Sequence, residues 1–126
     1  MKYLILVHDR KEIRDIANIF ANKFNVQYSH DYIDIVFDES SYVTLEYCQN
    51  LGDEFDEQDR LVFSGLNLPM YSFVRYNNLS FLQIVLGIIV RNINCYIDND
   101  LGILLQGREF MEKLTQSPSY SWNLEL

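Results

Sequence analysis

Cysteine, glycine and long apolar runs are scarce in this sequence of 126 residues, and each scarcity excludes a class of protein. The two cysteines, Cys48 and Cys95, form no C-x-x-C pair, which leaves redox catalysis and zinc binding without support. No apolar run reaches the roughly 18 residues that a membrane-spanning helix needs. The five glycines form no glycine-rich phosphate loop, and we therefore predict no cofactor and no metal site.

The beginning of the chain also lacks the features of an export signal. Residues 2–8 contain one lysine followed by a strand-like apolar run, without a small-residue cleavage site. We therefore expect a cytoplasmic protein in which both thiols are reduced. The length, with 48% hydrophobic and 22% charged residues, is typical of one globular domain over residues 1–126.

Basic residues are absent between Lys23 and Arg60, and the net charge of −8 originates in this interval. A surface with this charge repels phosphate, so we expect no direct binding to nucleic acid or to an anionic membrane. It favours a basic protein as the partner. The interval contains ten acidic residues, namely Asp31, Asp34, Asp38, Glu39, Glu46, Asp53, Glu54, Asp56, Glu57 and Asp59.

The hydrophobic pattern predicts an α+β domain. The first apolar run is typical of a central strand covered on both faces, and Asp9 and Glu12 have the spacing of a helix-capping box. Two alternating segments then indicate an antiparallel hairpin with one acidic, solvent-facing side. The predicted order is β-α-β-β-β-β-α-β-β-α, which forms a mostly antiparallel sheet with helices packed on one face. The predicted helices cover about 10–25, 81–90 and 108–115. The predicted strands cover 2–8, 32–38, 42–47, 61–63, 71–76, 94–98 and 102–105.

Residues 53–59 interrupt this pattern with five acids in seven positions. So many charges cannot pack in a core, which predicts an exposed loop or a short surface turn of helix. Phe55, in the middle of these acids, has no apolar neighbour in the sequence. We interpret it as a candidate apolar anchor for a partner, because aromatic residues often dominate the centres of interfaces.

The acids on the predicted hairpin, Asp34, Asp38 and Glu46, have two interpretations that remain open. Acids on a solvent-facing strand are usually a solvated face, and paired catalytic carboxylates would be a further use of them. No basic residue is near them in the sequence, so like charges repel one another within a Debye length. Because of this repulsion, a binding surface is as well supported an interpretation of these acids as a plain solvated face.

Histidine chemistry and a calcium loop find little support in the sequence. His8 and Asp9 end the first strand and His30 precedes Asp31, but neither histidine has a serine or cysteine at a nucleophile spacing. Residues 98–102 read Asp-Asn-Asp-Leu-Gly, where the glycine comes one position too early for an EF-hand loop. A hairpin turn is the better interpretation of that segment.

The last third of the chain contains Cys95-Tyr96-Ile97-Asp98-Asn99-Asp100-Leu101-Gly102, followed by Gly107-Arg108-Glu109-Phe110. These two segments resemble the end of small α+β immunity proteins, which are encoded beside bacterial contact-dependent inhibition and other polymorphic toxins. The general character is similar too, since the chain is short, acidic and rich in tyrosine and phenylalanine and has no enzymatic motif. The resemblance implies a cytoplasmic protein that binds one toxin domain and blocks it.

We therefore predict a non-enzymatic immunity protein whose acidic patch occludes the active or substrate-binding surface of a cognate basic toxin domain, for example a nuclease. One alternative is a small ligand-binding domain or enzyme that uses the strand end at His8 and Asp9. Another is an acidic docking subunit of a larger complex. The predicted partner-binding residues are Asp34, Asp38, Asp53, Glu54, Phe55, Asp56, Glu57 and Asp59.

Overall fold

Strands and helices follow one another in the predicted α+β order, which confirms the fold class. The structure is a computed structural model, and it describes residues 2–99 and 103–116. A 3-10 helix, Gln49–Glu54, precedes the second α-helix. The elements are β1 (Lys2–Asp9), α1 (Ile13–Phe20), β2 (Asn25–Tyr28), β3 (Tyr32–Asp38), β4 (Ser41–Tyr47), α2 (Glu57–Val62), β5 (Pro69–Tyr76), α3 (Leu79–Asn92), β6 (Cys95–Asp98), β7 (Leu104–Gln106) and α4 (Gly107–Gln116).

The described strands form one seven-stranded sheet in the order β2-β3-β4-β5-β1-β6-β7, and every neighbouring pair is antiparallel. β1 lies inside the sheet, between β5 and β6. Its Leu4 and Leu6 face one core, whereas Ile5 and Val7 face a second core on the opposite side. The apolar run of β1 is continuous because both faces of the sheet are covered at this strand.

The helices α1, α3 and α4 cover one face of the sheet and enclose the larger core. Phe20 of α1, Leu86 of α3 and Phe110 of α4 are fully buried there. The helix α3 is apolar on most sides because it contacts both the sheet and α4. Because these helices cover one face, we look for functional surfaces on the opposite face of the sheet and at the ends of the strands.

The opposite face carries a smaller core, which the 3-10 helix, α2 and the loop before β5 cover. The cover reaches only the β1–β5 part of the sheet, so the same face is open at β3 and β4, where Asp34 and Thr44 alternate with buried residues. This core contains Ile5, Val7, Leu51, Phe55, Phe63, Leu66 and Tyr71.

Residues 61–63 are not the strand that the sequence predicted. Leu61 and Val62 end α2, and Phe63 is its C-cap residue. The side chain of Asp56 accepts a hydrogen bond from the Asp59 amide at 2.8 Å, and this N-cap fixes the helical start of the segment. The number of strands between α1 and α3 is nevertheless four, as predicted. The strand β2, which the sequence did not predict, makes up for the strand that is absent at 61–63.

Two helices begin at other residues than the sequence predicts. Asp9 does not cap α1; it ends β1, and its carboxylate accepts a hydrogen bond from the Leu68 amide at 3.1 Å. The helix α1 begins after Glu12, whose side chain makes no capping hydrogen bond. Asn78 caps α3 by accepting from the Phe81 amide at 3.1 Å.

The last predicted hairpin is present, with β6 and β7 antiparallel and Ile97 opposite Leu105. Residues 100–102 of its predicted turn lie outside the described residues. The Asn99 side-chain oxygen accepts a hydrogen bond from the Ile103 amide at 3.0 Å, which closes the described ends of the turn. An asparagine that bonds back to the main chain is ordinary turn chemistry.

Candidate partner-binding surface

The five acids between positions 53 and 59 lie on a surface that we call the acidic helical segment, residues 49–62. It comprises the 3-10 helix and α2. Gly52 lies so close to the ring of Tyr71 that an added Cβ would be 2.8 Å from the ring carbon Cε2. Arg60 donates from Nη2 to the Gly52 carbonyl at 2.8 Å, and Cys48 N donates to the Tyr71 carbonyl at 2.8 Å. The segment is therefore seated firmly on β5.

Phe55 lies beneath this segment and not on its surface, so the expectation of an exposed apolar anchor is wrong. Its side chain is 5% exposed. The ring stacks on Tyr71 at a centroid distance of 5.7 Å and meets Phe63 edge-on at 5.4 Å. Its apolar neighbours come from β5 and from the C-cap of α2, contacts that no local sequence pattern reveals.

The acids of the segment divide into those with a structural role and those without one. Asp56 caps α2 through its bond to the Asp59 amide, and acids in a first helical turn also interact favourably with the helix dipole. Asp53, Glu54 and Glu57 are exposed and make no hydrogen bond or ion pair with another described residue. These three carboxylates are available to a partner.

Exposed apolar side chains accompany these acids on α2. Leu61 is 71% exposed and Val62 is 46% exposed. Neither side chain was predicted from the sequence as part of this surface, because the hydrophobic pattern predicts a strand over 61–63. The spacing of Asp56 and Asp59, which is that of an N-cap and its third helical residue, is the signal that could have found the helix.

Asp34 and Asp38, on β3, are both engaged in hydrogen bonds within the protein. The carboxylate of Asp34 accepts from Thr44 Oγ1 at 2.8 Å across the β3–β4 pair. Asp38 accepts from the amide of Ser40 at 2.8 Å and from its hydroxyl at 2.9 Å. These hydrogen bonds, the hydroxyl first, lower the pKa of Asp38. A structural role in the hairpin accounts for both residues.

Glu46 has a basic partner that the sequence did not place near it. Arg75 of β5 donates from Nη1 to the Glu46 carboxylate at 2.5 Å, and its guanidinium lies 4.9 Å from the centre of the Phe73 ring. The register that pairs β4 with β5 brings these residues together. The sheet acids are therefore partly neutralised, whereas those of the acidic helical segment are not.

The strand end at His8 and Asp9 does not present an imidazole to solvent. His8 is 1% exposed and donates from Nδ1 to the Asp9 carbonyl at 2.6 Å. Burial, the largest cause, lowers the pKa of His8. His30, by contrast, has an exposed ring whose Nε2 lies 3.9 Å from the Asp31 carboxylate.

The buried neutral imidazole predicts a pH-dependent stability. Because the folded pKa of His8 is below the unfolded value of 6.5, the stabilisation is complete above that value and is lost as the pH falls through the folded pKa. We expect His8→Gln to flatten the free energy of unfolding between pH 7 and pH 5, where one such group contributes up to about 1.4 kcal/mol per pH unit. Urea titrations at several pH values measure this slope, with His30→Gln as the control that retains it. Equal slopes in both variants would contradict the assignment.

Within the described ranges, no group of three or more His, Cys, Asp or Glu side chains could hold a metal ion. No helix in the same ranges is long and apolar enough to cross a membrane. No protein-family model, curated protein or solved structure matches the chain. The fold and the distribution of exposed charge therefore carry the functional argument.

Proposed function

We propose that this protein is a cytoplasmic immunity protein that binds a cognate basic toxin domain through the acidic helical segment. The observation that carries the proposal is the combination on this segment of three exposed carboxylates, which have no ion-pair or hydrogen-bond partner among the described residues, with exposed Leu61 and Val62. Apolar side chains with a charged rim are the ordinary composition of a protein interface. The chain itself contributes no catalytic step in this proposal.

Inhibition in this proposal is by occlusion. The carboxylates contact the lysine and arginine side chains that the toxin uses for its substrate, for example a nucleic acid, while Leu61 and Val62 exclude water from the contact. Complementary charge accelerates encounter to about 10⁸ M⁻¹s⁻¹ or more at low salt, which favours an inhibitor that must bind before the toxin acts. Asp34 and Asp38 belong to the proposed surface only as its far rim, because their carboxylates already have partners.

The proposal predicts that a gene adjacent to that of this protein encodes a toxin-like domain, and that domain is the partner to test. Cells that produce this domain alone should stop growing, and co-production of the present chain should restore growth. A purified mixture should give a stoichiometric complex on a sizing column. Lysozyme, as a basic protein without a cognate relation, is the control for attraction by charge alone. Unrestored growth and the absence of a complex would contradict the proposal.

The charge contribution predicts a specific kinetic result. The combined variant Asp53→Asn, Glu54→Gln and Glu57→Gln removes no structural hydrogen bond and loses only the interaction of Glu57 with the helix dipole, about 0.3–1 kcal/mol, so it should fold normally. We expect it to associate with the toxin about tenfold more slowly at low salt and to lose most of the salt dependence of the rate. A control that neutralises three exposed acids elsewhere, Asp15, Glu109 and Glu112, should retain most of the rate. Stopped-flow association rates at two salt concentrations decide between the two surfaces.

The apolar contribution acts on dissociation. We expect the double variant Leu61→Ala and Val62→Ala to dissociate about 10- to 100-fold faster, because contacts near the centre of an interface mainly set the lifetime of a complex. Ile84→Ala, an equally exposed apolar truncation on α3, is the control. If dissociation of both variants is unchanged, the toxin does not contact α2.

A further inference from the structure

A groove lies at the end of β1, where the chain turns into α1. Its charged lining is mostly basic, in contrast to the acidic helical segment. It encloses about 650 Å³, a volume in the range of small-molecule binding sites. One wall consists of residues 10–14, and the other consists of Tyr28, Ser29, His30 and Tyr47. Its chemistry is therefore cationic on one side and aromatic and hydroxyl-bearing on the other.

Three cations line the groove. Arg10, Lys11 and Arg14 are exposed, and within the described part of the chain none of them has a carboxylate at ion-pair distance. The neighbouring Asp9, Asp15 and Asp31 carry negative charge but do not line the groove, and hydrogen bonds from the Leu68 amide and the Ser29 hydroxyl fix the carboxylates of Asp9 and Asp31. The lining therefore has three cations against the single carboxylate of Glu12. In a chain of net charge −8, this is a local concentration of available positive charge.

Main-chain hydrogen bonds hold both walls in place. Arg10 N donates to the Leu68 carbonyl at 2.9 Å, which ties the cationic wall to the loop before β5. On the other wall, Ser29 N donates to the Tyr32 carbonyl at 3.0 Å and Tyr47 N donates to the Asp31 carbonyl at 2.7 Å. A ligand would thus meet a largely preformed site, which lowers the entropic cost of binding.

Tyrosine rings complete the groove. Tyr28 projects from the edge strand β2 and is 47% exposed, an unusual exposure for a ring of this size. The hydroxyl of Tyr47 is hydrogen-bonded to the Gln49 side chain, which orients the ring at the end of β4. An oriented tyrosine offers a flat apolar face on which another ring can stack.

We propose that this groove binds a small molecule that carries phosphate groups beside an aromatic ring, the chemistry of a nucleoside phosphate. Arginine and lysine make strong charge-assisted hydrogen bonds to phosphate oxygens, and arginine does so in a bidentate manner. The tyrosine wall receives the ring. A small ligand stays within the field of the three cations, whereas a long nucleic acid would also meet the acidic helical segment and be repelled by it.

Glu12 is the acid within the lining, and its replacement provides a further test of the site. Its carboxylate repels a bound phosphate, and its side chain makes no capping hydrogen bond to α1. Replacing it by glutamine therefore removes repulsion without removing a structural contact. We expect Glu12→Gln to bind the ligand about twofold to fivefold more tightly.

Calorimetric titration of the purified full chain with ATP, AMP and adenosine tests the site. We expect ATP to bind more tightly than AMP and adenosine to bind too weakly to measure. The double variant Arg10→Gln and Arg14→Gln should lose about 10- to 100-fold in ATP affinity. The control Arg91→Gln and Arg108→Gln removes two cations that line a different cavity and should retain the affinity of the natural chain.

Four results would overturn the proposal: no measurable ATP binding, adenosine binding as tightly as ATP, an equal loss in the two double variants, or weaker binding by Glu12→Gln. An equal loss would mean that ATP responds to the total charge of the protein and not to this groove. None of these results bears on the immunity function, because the toxin assays use the other surface.

Discussion

Phe55→Ala is expected to lower the free energy of unfolding by about 3–5 kcal/mol, the usual cost of truncating a buried phenylalanine to alanine. The ring is 5% exposed and packs against Phe63 and Tyr71 in the smaller core. That core has few members, so the neighbouring side chains can fill the cavity only in part. Urea denaturation followed by far-ultraviolet circular dichroism measures the change.

The matched control for this prediction is Leu61→Ala, a truncation in the same segment at a side chain that is 71% exposed. It should change the stability by no more than about 0.5 kcal/mol. A stability loss below that of the control would contradict the buried position of Phe55. A phenylalanine that instead contacted a partner would leave the stability of the free protein unchanged and would act only on dissociation.

Cys95 is expected to resist alkylation about 1000-fold more strongly in the folded protein than in urea. Burial raises the pKa of the Cys95 thiol from 9.0 to about 12, so the population of the reactive thiolate falls by about this factor near pH 8. The side chain is 2% exposed, and Gly107 of α4 lies so close that an added Cβ would be 2.7 Å from Sγ. Both cysteines are free, so each can react once it is accessible.

Timed labelling with iodoacetamide and mass spectrometry measures this protection. The half-buried Cys48 should be modified first, and Cys95 should react only when the protein unfolds. The variant Cys95→Ala identifies the second label. Labelling of Cys95 at the same rate with and without urea would show that α4 does not close over it.

Most of the sheet and the helix-covered core follow from patterns that are local in the sequence. The alternation of apolar and polar residues in β3 and β4 indicates strands with one buried face. The unbroken apolar run in β1 indicates a strand with two buried faces. By contrast, β2 contributes a single partly buried apolar residue, Val26, to the core, and its hydrogen bonds to β3 define it. An edge strand of this kind leaves almost no periodic signal.

The charge of residues 24–59 was also readable from the sequence, but its division into occupied and available carboxylates was not. Glu46 is neutralised by Arg75, which is distant in sequence and reaches it only because β4 pairs with β5. A contact distant in sequence likewise fixes the carboxylate of Asp9, which accepts a hydrogen bond from the Leu68 amide. The number of charges in a segment can be counted in the sequence. Which of those charges form ion pairs depends on how the strands pair in the folded protein.

The sequence by itself determined that this chain forms an antiparallel sheet with α1, α3 and α4 as its helical cover and that it has an acidic exposed segment, because hydrophobic period and charge are local quantities. It did not indicate that α2 and the 3-10 helix cover part of the opposite face. Only the tertiary structure decided that Phe55 faces inward while Leu61 and Val62 face solvent. The physical reason is that a segment of six helical residues is too short to display a period, so its orientation is set by what lies beneath it. Here the ring of Tyr71 lies directly against Gly52, which has no side chain, and Phe55 stacks on the same ring.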